Sequence, residues 1–376
     1  MQAARFAGYE SGKVLYMAME LSNRRWRLGF SNGSKNRQKT VEARDLGATL
    51  KEIALAKQKL GVEADARVVA CYEAGRDGHW IHRWLSSERI EALEIDSSSI
   101  ETAQGRKHVK TDALDVLKLL DLLMRYCLGF RKSFRVVHVP SAEAEAAFRL
   151  HREDENLVKE RGRVTNQIRS LLATQGVVDV PLGRGFHGWL DEVRLWNGEG
   201  LPAELKAELL RRYELLQLIQ AQQSAVAAAY EAELKTDSQV AKQRHRLELF
   251  KGVGPKISRV LSAEAFAWRT FANVKQVGSM SGLTPTPNQS GDVSRDRGIG
   301  GHGNRRVRRM AIELAWLWLR WQPNSALSEW YRRRFGEGGK RMRRVGIVAL
   351  ARKLLIALWK YLDQGELPEG VVMKAA

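Results

Sequence analysis

Apolar and polar residues change their spacing several times along this chain. Residues 14–21 (Val-Leu-Tyr-Met-Ala-Met-Glu-Leu) form an apolar run of strand length with Glu20 near its end. Residues 23–25 (Asn-Arg-Arg) read as a turn, residues 26–30 as a second strand and residues 41–45 as a third, after an irregular lead-in over residues 1–12. From Leu46 the period becomes helical, with Leu46, Leu50, Ile53 and Leu60 on one face. Residues 67–72 (Arg-Val-Val-Ala-Cys-Tyr) return to strand length and run into Glu73-Ala-Gly75. A short helix is predicted over residues 80–85 and another strand over residues 90–95. A hairpin followed by alternating strands and helices predicts an α/β sheet over residues 1–140.

The next helix opens at Asp112. Leu114, Val116, Leu117, Leu119, Leu120, Leu122 and Leu123 follow at helical spacing, so Thr111 reads as the N-cap, with Asp112 and Asp115 in the first turn. Residues at i and i+3 share a helix face, so the two carboxylates point the same way. The plain alternative is that acids favour a helix N-terminus for its dipole alone. Beyond Ser141 the pattern becomes one of long charged helices. Leu157, Val164, Ile168 and Leu171 set one stripe. After a Gly- and Pro-containing break at residues 176–202, Leu205, Leu209, Tyr213 and Leu216 set another, continued by Ala227, Tyr230 and Leu234. Residues 141–240 therefore read as an antiparallel helical pair or coiled coil, serving as a linker or as an oligomerisation arm. Residues 241–376 read as a third, mostly helical region. Helices are predicted over 310–322, where Trp316, Trp318 and Trp321 read as core, and over 345–362.

The acids fall where chemistry can use them. Glu20 and Glu73 end strands, Asp112 and Asp115 begin a helix, and open α/β sheets build their sites at the carboxyl ends of strands. Four converging carboxylates repel one another unless cations neutralise them, which points to Mg²⁺ on oxygen ligands, with Mn²⁺ as an alternative. Paired metals on such a cluster activate an attacking oxygen and stabilise a leaving one on phosphate, the logic of ribonuclease-H-like nucleases. Strand-end charges at the surface are the simpler reading of Glu20 and Glu73.

Charge narrows the partner. The chain carries 62 Lys and Arg against 43 Asp and Glu, a net +19, which selects a polyanion, nucleic acid before a membrane surface. Residues 310–321 and 345–362 are too interrupted by Glu313, Arg320, Arg352, Lys353 and Lys360 to span a bilayer. No signal peptide is evident at the N-terminus, and Cys71 and Cys127 read as reduced core residues, so a cytoplasmic protein is expected. Residues 249–257 (Leu-Phe-Lys-Gly-Val-Gly-Pro-Lys-Ile) resemble a helix–hairpin–helix turn, in which Gly252, Gly254 and Lys256 would meet a DNA phosphate; a plain tight turn is the alternative. Residues 282–304 form a long Gly-rich connection holding Ser290-Gly291, with Arg295 and Arg297 in it and Arg305, Arg306, Arg308 and Arg309 after it. Ser290 is a candidate nucleophile on phosphorus, with Ser281 and Ser294 as competitors. The arginines suit a phosphate and its transition-state charge. Basic clusters at 332–334 and 340–344 suit phosphate as well.

These segments together resemble the DEDD-type insertion-sequence transposases, the bridge-RNA-guided recombinases, whose relatives include pilin-gene invertases. Met19-Glu20-Leu-Ser22, Tyr72-Glu73-Ala-Gly75, Val109-Lys-Thr-Asp112-Ala-Leu-Asp115 and Gly282-Leu-Thr-Pro285 through Ser290-Gly291 carry the likeness, with Gly303-Asn304-Arg305 and Arg308-Arg309 after them. Arg161–Leu172 and Gly252-Val-Gly254 add the helical segment and the glycine turn. The resemblance implies a RuvC-like, ribonuclease-H-like domain whose Glu20, Glu73, Asp112 and Asp115 bind Mg²⁺, and a serine, Ser290, that attacks the DNA backbone and holds a phosphoserine link. It also implies a composite site between protomers of a dimer or tetramer, donor and target DNA as substrates, a structured guide RNA from the element's own non-coding end, and work on the bacterial nucleoid. The chain departs from the family at Glu20, one methylene longer than the usual Asp. A metal-dependent Holliday-junction-type nuclease and an inactive nucleic-acid-binding relative are the rival readings.

Overall fold

The computed structural model describes residues 13–75, 77–100, 112–290, 293–300 and 302–374, with the side chains of 112, 113, 286–290 and 293–297 outside that description. The chain divides into two compact units, Met1–Pro140 and Ser141–Ala376.

The first unit is a mixed five-stranded sheet in the order β3-β2-β1-β4-β5. Strand β1 (Val14–Leu21) pairs antiparallel with β2 (Arg25–Ser31), which pairs antiparallel with β3 (Asn36–Glu42). On its other side β1 runs parallel to β4 (Arg67–Glu73), and β4 runs parallel to β5 (Glu91–Ile95). Helix α1 (Leu46–Leu60) is capped by the Asp45 carboxylate, which accepts from the Ala48 N–H. Helix α2 is Trp80–Ser87 and α3 is Asp112–Cys127.

Alternation along the strands sends the two sheet faces into separate cores. Leu15, Met17 and Met19 pack with Ala70 and Tyr72 under Ile53, Ala56 and Leu60 of α1 and Ile81 and Leu85 of α2. Tyr16, Ala18, Val69 and Cys71 pack under Val116, Leu119, Leu120 and Leu123 of α3. Burial on both faces is why the central strands read as unbroken apolar runs.

The third strand lies earlier than the expected residues 41–45. It is an edge strand of polar composition, Asn-Arg-Gln-Lys-Thr-Val-Glu, which hydropathy does not mark. Arg27 fastens it from β2, donating from Nε and Nη2 to Gln38 Oε1 and from Nη1 to Thr40 Oγ1. The expected strands and helices at 14–21, 26–30, 46–60, 67–72, 80–85 and 90–95 form within two residues of their expected ends. The expected caps at Thr111 and the lead-in at 1–12 lie outside the described residues.

The second unit is mostly helical. Helices α4 (Ala142–Ala173) and α6 (Ala203–Leu234) run antiparallel, as the bonds Arg161 Nη1 to Gln223 Oε1 and Arg212 Nη1 to Gln167 Oε1 require. Val164, Ile168 and Leu172 meet Leu209, Tyr213 and Leu216 between them. The break at 176–202 is not wholly irregular: α5 (Phe186–Glu192) inserts Phe186 and Leu190 into the end of this seam.

Helix α7 (Gln239–Glu248) leads through the turn at Gly252 into α8 (Pro255–Leu261), which widens into one π-helical turn at Ser262–Phe266. Then come α9 (Val274–Ser281), the antiparallel strands β6 (Pro285–Ser290) and β7 (Val293–Ile299), α10 (Arg305–Trp321), α11 (Ala326–Phe335) and α12 (Lys340–Gln364). Val307, Met310, Ala311, Leu314 and Trp318 of α10 pack against Leu350, Ala351, Leu354 and Leu358 of α12. Gly346 lets α12 lie on α11, since a Cβ there would meet the Phe335 ring at 2.6 Å.

Three expectations are corrected here. The Gly-rich connection is a two-stranded hairpin rather than a loop. Pro285 and Pro287 hide it in the sequence, yet proline is tolerated where a strand's N–H points away from its partner, and residues i and i+2 point the same way. Helix α10 begins at Arg305, not 310, because the Asn304 side chain caps it by accepting from the N–H groups of Arg306 and Val307. And of its three tryptophans only Trp318 is core; Trp316 and Trp321 are 53% and 50% exposed.

Candidate functional site

In the first unit the parallel register of β1 and β4 pairs Ala18 with Cys71 and Met19 with Tyr72. The next positions in that register are Glu20 and Glu73, at the carboxyl ends of two neighbouring central strands. Their parity follows Tyr16 and Ala18 on β1 and Val69 and Cys71 on β4, so both project to the α3 face. Adjacent strands lie about 4.8 Å apart, so the two carboxylates start as near neighbours.

Helix α3 runs opposite to these strands. Val116 packs on Gly29, the partner of Ala18, and the Cys71 thiol donates to the Leu119 carbonyl at 3.7 Å. Farther along, Cys127 comes near Tyr16 and Arg67, at the opposite end of the sheet. The first turn of α3, residues 112–115, is therefore at the strand ends where Glu20 and Glu73 lie. The Asp112 side chain lies outside the described residues, and Asp115 is half-buried. Among the described residues no three acidic, His or Cys side chains converge as a metal group.

Glu20 and Glu73 line one cleft of about 430 Å³ with Ser22, Tyr72, Gly75 and Asp77. Asp77, which sequence reasoning missed, sits 3.1 Å from Arg44. The cleft wall is stiffened by a second missed residue, Glu94, buried on β5. It accepts from the Tyr72 hydroxyl at 3.0 Å and lies 2.9 Å from His79 Nδ1. Burial, and then the Glu94 charge, pushes the Tyr72 phenol up, so it stays protonated as a donor. The signal for Glu94 was an acid flanked by apolar residues, Leu93 and Ile95, inside a strand.

In the second unit the hairpin carries Ser290 as the last residue of β6, paired with Val293. The side chains of Ser290, Ser294, Arg295 and Arg297 lie outside the described residues. Ser281 is fully buried and donates its hydroxyl to the Gly278 carbonyl, which removes it as a competing nucleophile.

The hairpin base is described in full. Gly282, at φ +66°, passes so close to the following segment that a Cβ would fall 1.7 Å from the His302 carbonyl oxygen. Gly303, at φ +88°, passes the Met280 carbonyl, and a Cβ there would lie 2.4 Å from it. The Asn304 N–H donates to that same carbonyl at 2.7 Å. Only glycine meets both demands, left-handed backbone and close approach.

Beneath this crossing lies a carboxylate that sequence reasoning missed. Glu264, 3% exposed in the π-helical turn, sits 2.8 Å from His151 Nε2 and accepts from Arg152 Nε at 2.8 Å and Nη2 at 2.9 Å, and from Asn304 Nδ2 at 2.9 Å. Burial alone would raise its pKa; the bonds from His151, Arg152 and Asn304 outweigh that and hold it at about 2. Asn304 thus caps α10 with its oxygen and ties it to α4 and the π-helical turn with its nitrogen.

The predicted phosphate-binding arginines divide by role. Arg308 donates to the carbonyls of Ser281 and His302 and braces the crossing. Arg306 and Arg309 both reach Glu155 on α4, Arg306 at 3.0 Å. Arg305 is exposed. With Lys159 and Ile312 these residues line a basic cleft of about 550 Å³. At the other predicted contact, Gly252 adopts φ +91°, and Gly254 precedes α8 with Lys256 exposed in its first turn. A Cβ on Gly252 would press on Trp321 at 3.2 Å, so this turn, too, needs glycine.

Comparison with known proteins bears on what these parts are for. Residues 244–331, from α7 through the hairpin to α11, match the model of the transposase IS116/IS110/IS902 family. The chain is 38% identical over 377 residues to the putative transposase y4rJ of Sinorhizobium fredii, covering 96% of this chain and 95% of that one. It is 30% identical over 238 residues to a probable family 20 transposase of Pseudomonas aeruginosa, covering 62% and 68%. To the transposase for insertion sequence element IS1328 of Yersinia enterocolitica it is 26% identical over 237 residues, covering 62% and 68%. Among the described residues no helix is long and apolar enough to cross a membrane. A near-complete match at this identity, together with the family match over the hairpin and its base, assigns the chain: it belongs to the IS116/IS110/IS902 family of transposases.

Proposed function

We propose that the protein moves DNA by transesterification, with the Ser290 hydroxyl as nucleophile and Glu20, Glu73, Asp112 and Asp115 as a metal-binding tetrad. The observation that carries the reading is the in-register pairing of Glu20 and Glu73 at the ends of β1 and β4, with the first turn of α3 at the same end of the sheet. An opening hairpin, a mixed sheet and acids on two central parallel strands support a RuvC-like, ribonuclease-H-like identity for this unit.

Hard carboxylate oxygens fit Mg²⁺, or Mn²⁺ in its place. When bound, such ions supply Lewis-acid stabilisation of charge on phosphate oxygens. The chain's own residues do the rest. Ser290 Oγ forms a bond to phosphorus as the bond from phosphorus to a sugar oxygen breaks, and that oxygen leaves as a hydroxyl carrying a proton. A second strand's hydroxyl then attacks the phosphoserine, forming the new phosphodiester and returning the proton to Ser290. No bond energy is lost to water, so the joined product needs no other energy source. The basic cleft at the hairpin base holds the flanking phosphates by paired guanidinium donors, with Arg305 exposed there and Arg295 and Arg297 on β7.

Gly252, Gly254 and Lys256 present a second phosphate contact at the start of α8. A structured RNA supplies target choice by base pairing, which leaves the protein to read backbone and shape. The α4–α6 pair suits assembly into a dimer or tetramer, and the work is done on nucleoid DNA in the cytoplasm.

The test is a covalent trap. Full-length protein, labelled DNA carrying the element's ends, the flanking RNA and Mg²⁺ are mixed and run on a denaturing gel. A labelled protein band that vanishes in Ser290→Ala, and in Asp112→Ala/Asp115→Ala, is expected. Cleaved DNA with no such band would instead establish a hydrolytic nuclease.

A further inference from the structure

One face of α10 carries a pattern of which the proposed chemistry uses only the first turn. Val307, Met310, Ala311, Leu314, Ala315 and Trp318 are buried. The opposite face presents Arg305, Arg309, Glu313, Trp316 and Arg320, each three or four residues from the next. This face begins in the basic cleft under the serine hairpin and leads away from it. At a helical rise of about 1.5 Å per residue, Trp316 lies roughly 16 Å beyond Arg305.

Trp316 is 53% exposed. An indole left half in water loses much of the stabilisation that burial would give it. Here it stands in line with cations on both sides, Arg305 and Arg309 before it and Arg320 after it. Guanidiniums spaced along a helix with an aromatic ring among them match a single nucleic-acid strand, whose phosphates take the cations and whose bases take the ring. A duplex cannot use the ring, because its bases already stack on one another. Glu313, one turn from both Arg309 and Trp316, disfavours a phosphate at the middle of the face and favours a base there. Trp321 differs. The Arg320 guanidinium lies 5.4 Å from its ring centroid, and the Gly252 turn closes on its Cβ, so it braces the turn instead.

We infer that this face of α10 is a track for an unpaired DNA strand leading from the serine hairpin, with Trp316 as the stacking platform for one base. The choice of DNA rests on the reading of the protein as a strand-exchanging enzyme. The track explains why an exposed tryptophan is placed among arginines rather than in the core.

The test is binding without cleavage. Fluorescence anisotropy of labelled oligothymidylate is read with full-length protein in Mg²⁺-free buffer. Trp316→Ala is expected to weaken binding about ten-fold, and Trp316→Phe much less, since a ring is retained. Arg320→Ala is expected to weaken binding and lower the salt slope by about one. Duplex DNA of the same length is expected to change less than about two-fold for Trp316→Ala, because stacking contributes only with unpaired bases. Unaltered oligothymidylate binding by Trp316→Ala overturns the track. So does an equal loss on duplex, a loss confined to oligouridylate, or a loss only of self-association in light scattering. If Trp316→Ala lowers the melting temperature, Trp316→Phe and Arg320→Ala carry the test. Ser290→Ala keeps the binding. A failed covalent trap together with intact Trp316-dependent binding therefore sinks the serine chemistry and leaves the track standing.

Discussion

The two units support their proposed functional residues in opposite ways. Glu20 and Glu73 hang from the two central strands of a sheet covered on both faces, so their backbone is held by ladders and packing on every side. Ser290 ends a strand of a two-stranded ribbon, with no third strand beside it among the described residues. An isolated hairpin is marginally stable in water, so what fixes this one is its base. There, two glycines cross at backbone contact and Glu264 ties the cap of α10 to α4. One unit holds its proposed site residues by surrounding them; the other holds its proposed nucleophile from the base of a ribbon.

The sharpest way to break the contrast is to thicken the crossing. Gly282→Ala meets both a left-handed backbone and the His302 carbonyl. It is expected to abolish the covalent adduct and to cost about 3 kcal/mol or more. Hydrogen exchange should quicken in α9 and α10 and stay unchanged in β1 and β4; quickening in both units would show that the base is not a separate support.

Glu264→Gln comes next. It leaves Arg152 without its carboxylate and should cost about 3 kcal/mol, read as a lowered urea midpoint. Its wild-type pKa, held at about 2 against an ordinary 4.5, makes an acid prediction. A depressed folded pKa contributes stability in full above 4.5, and that contribution is lost as pH falls from there toward 2. The wild type should lose about 3 kcal/mol over that window through this group, and Glu264→Gln should lack that share.

The smallest effect belongs to the first unit. Gly29→Ala meets only the Val116 methyls at 3.3 Å, a side chain that can turn aside. A shift of no more than about 1 kcal/mol is expected, with DNA cleavage retained.

What the sequence makes legible follows the same division. Strands buried on two faces and helices with clean apolar stripes announce themselves, so the sheet, the strand-end positions of Glu20 and Glu73 and the α4–α6 pair could be read from spacing. The polar edge strand β3 could not, because its stability comes from Arg27 reaching Gln38 and Thr40 rather than from apolar residues. The hairpin escaped because alternate prolines look like a loop until their direction in the ladder is known. Glu264 was invisible for another reason: its partners are at His151, Arg152 and Asn304, and no local pattern joins them. Trp316 and Trp318 are two residues apart, and only the helix phase, fixed by the Asn304 cap, decides which of them meets solvent.

The Glu264 contacts also set a timetable for the nascent chain. His151 precedes its partner by 113 residues, and Asn304 follows by another 40. At a synthesis rate of about 5–20 residues per second, α4 waits roughly 6–20 s on the ribosome before Glu264 exists to receive it. Within that interval α6 is completed at Leu234, and the α4–α6 pair can form before Glu264 exists. The helical pair can thus fold ahead of the hairpin base, whose last tie to Glu264 arrives only with Asn304.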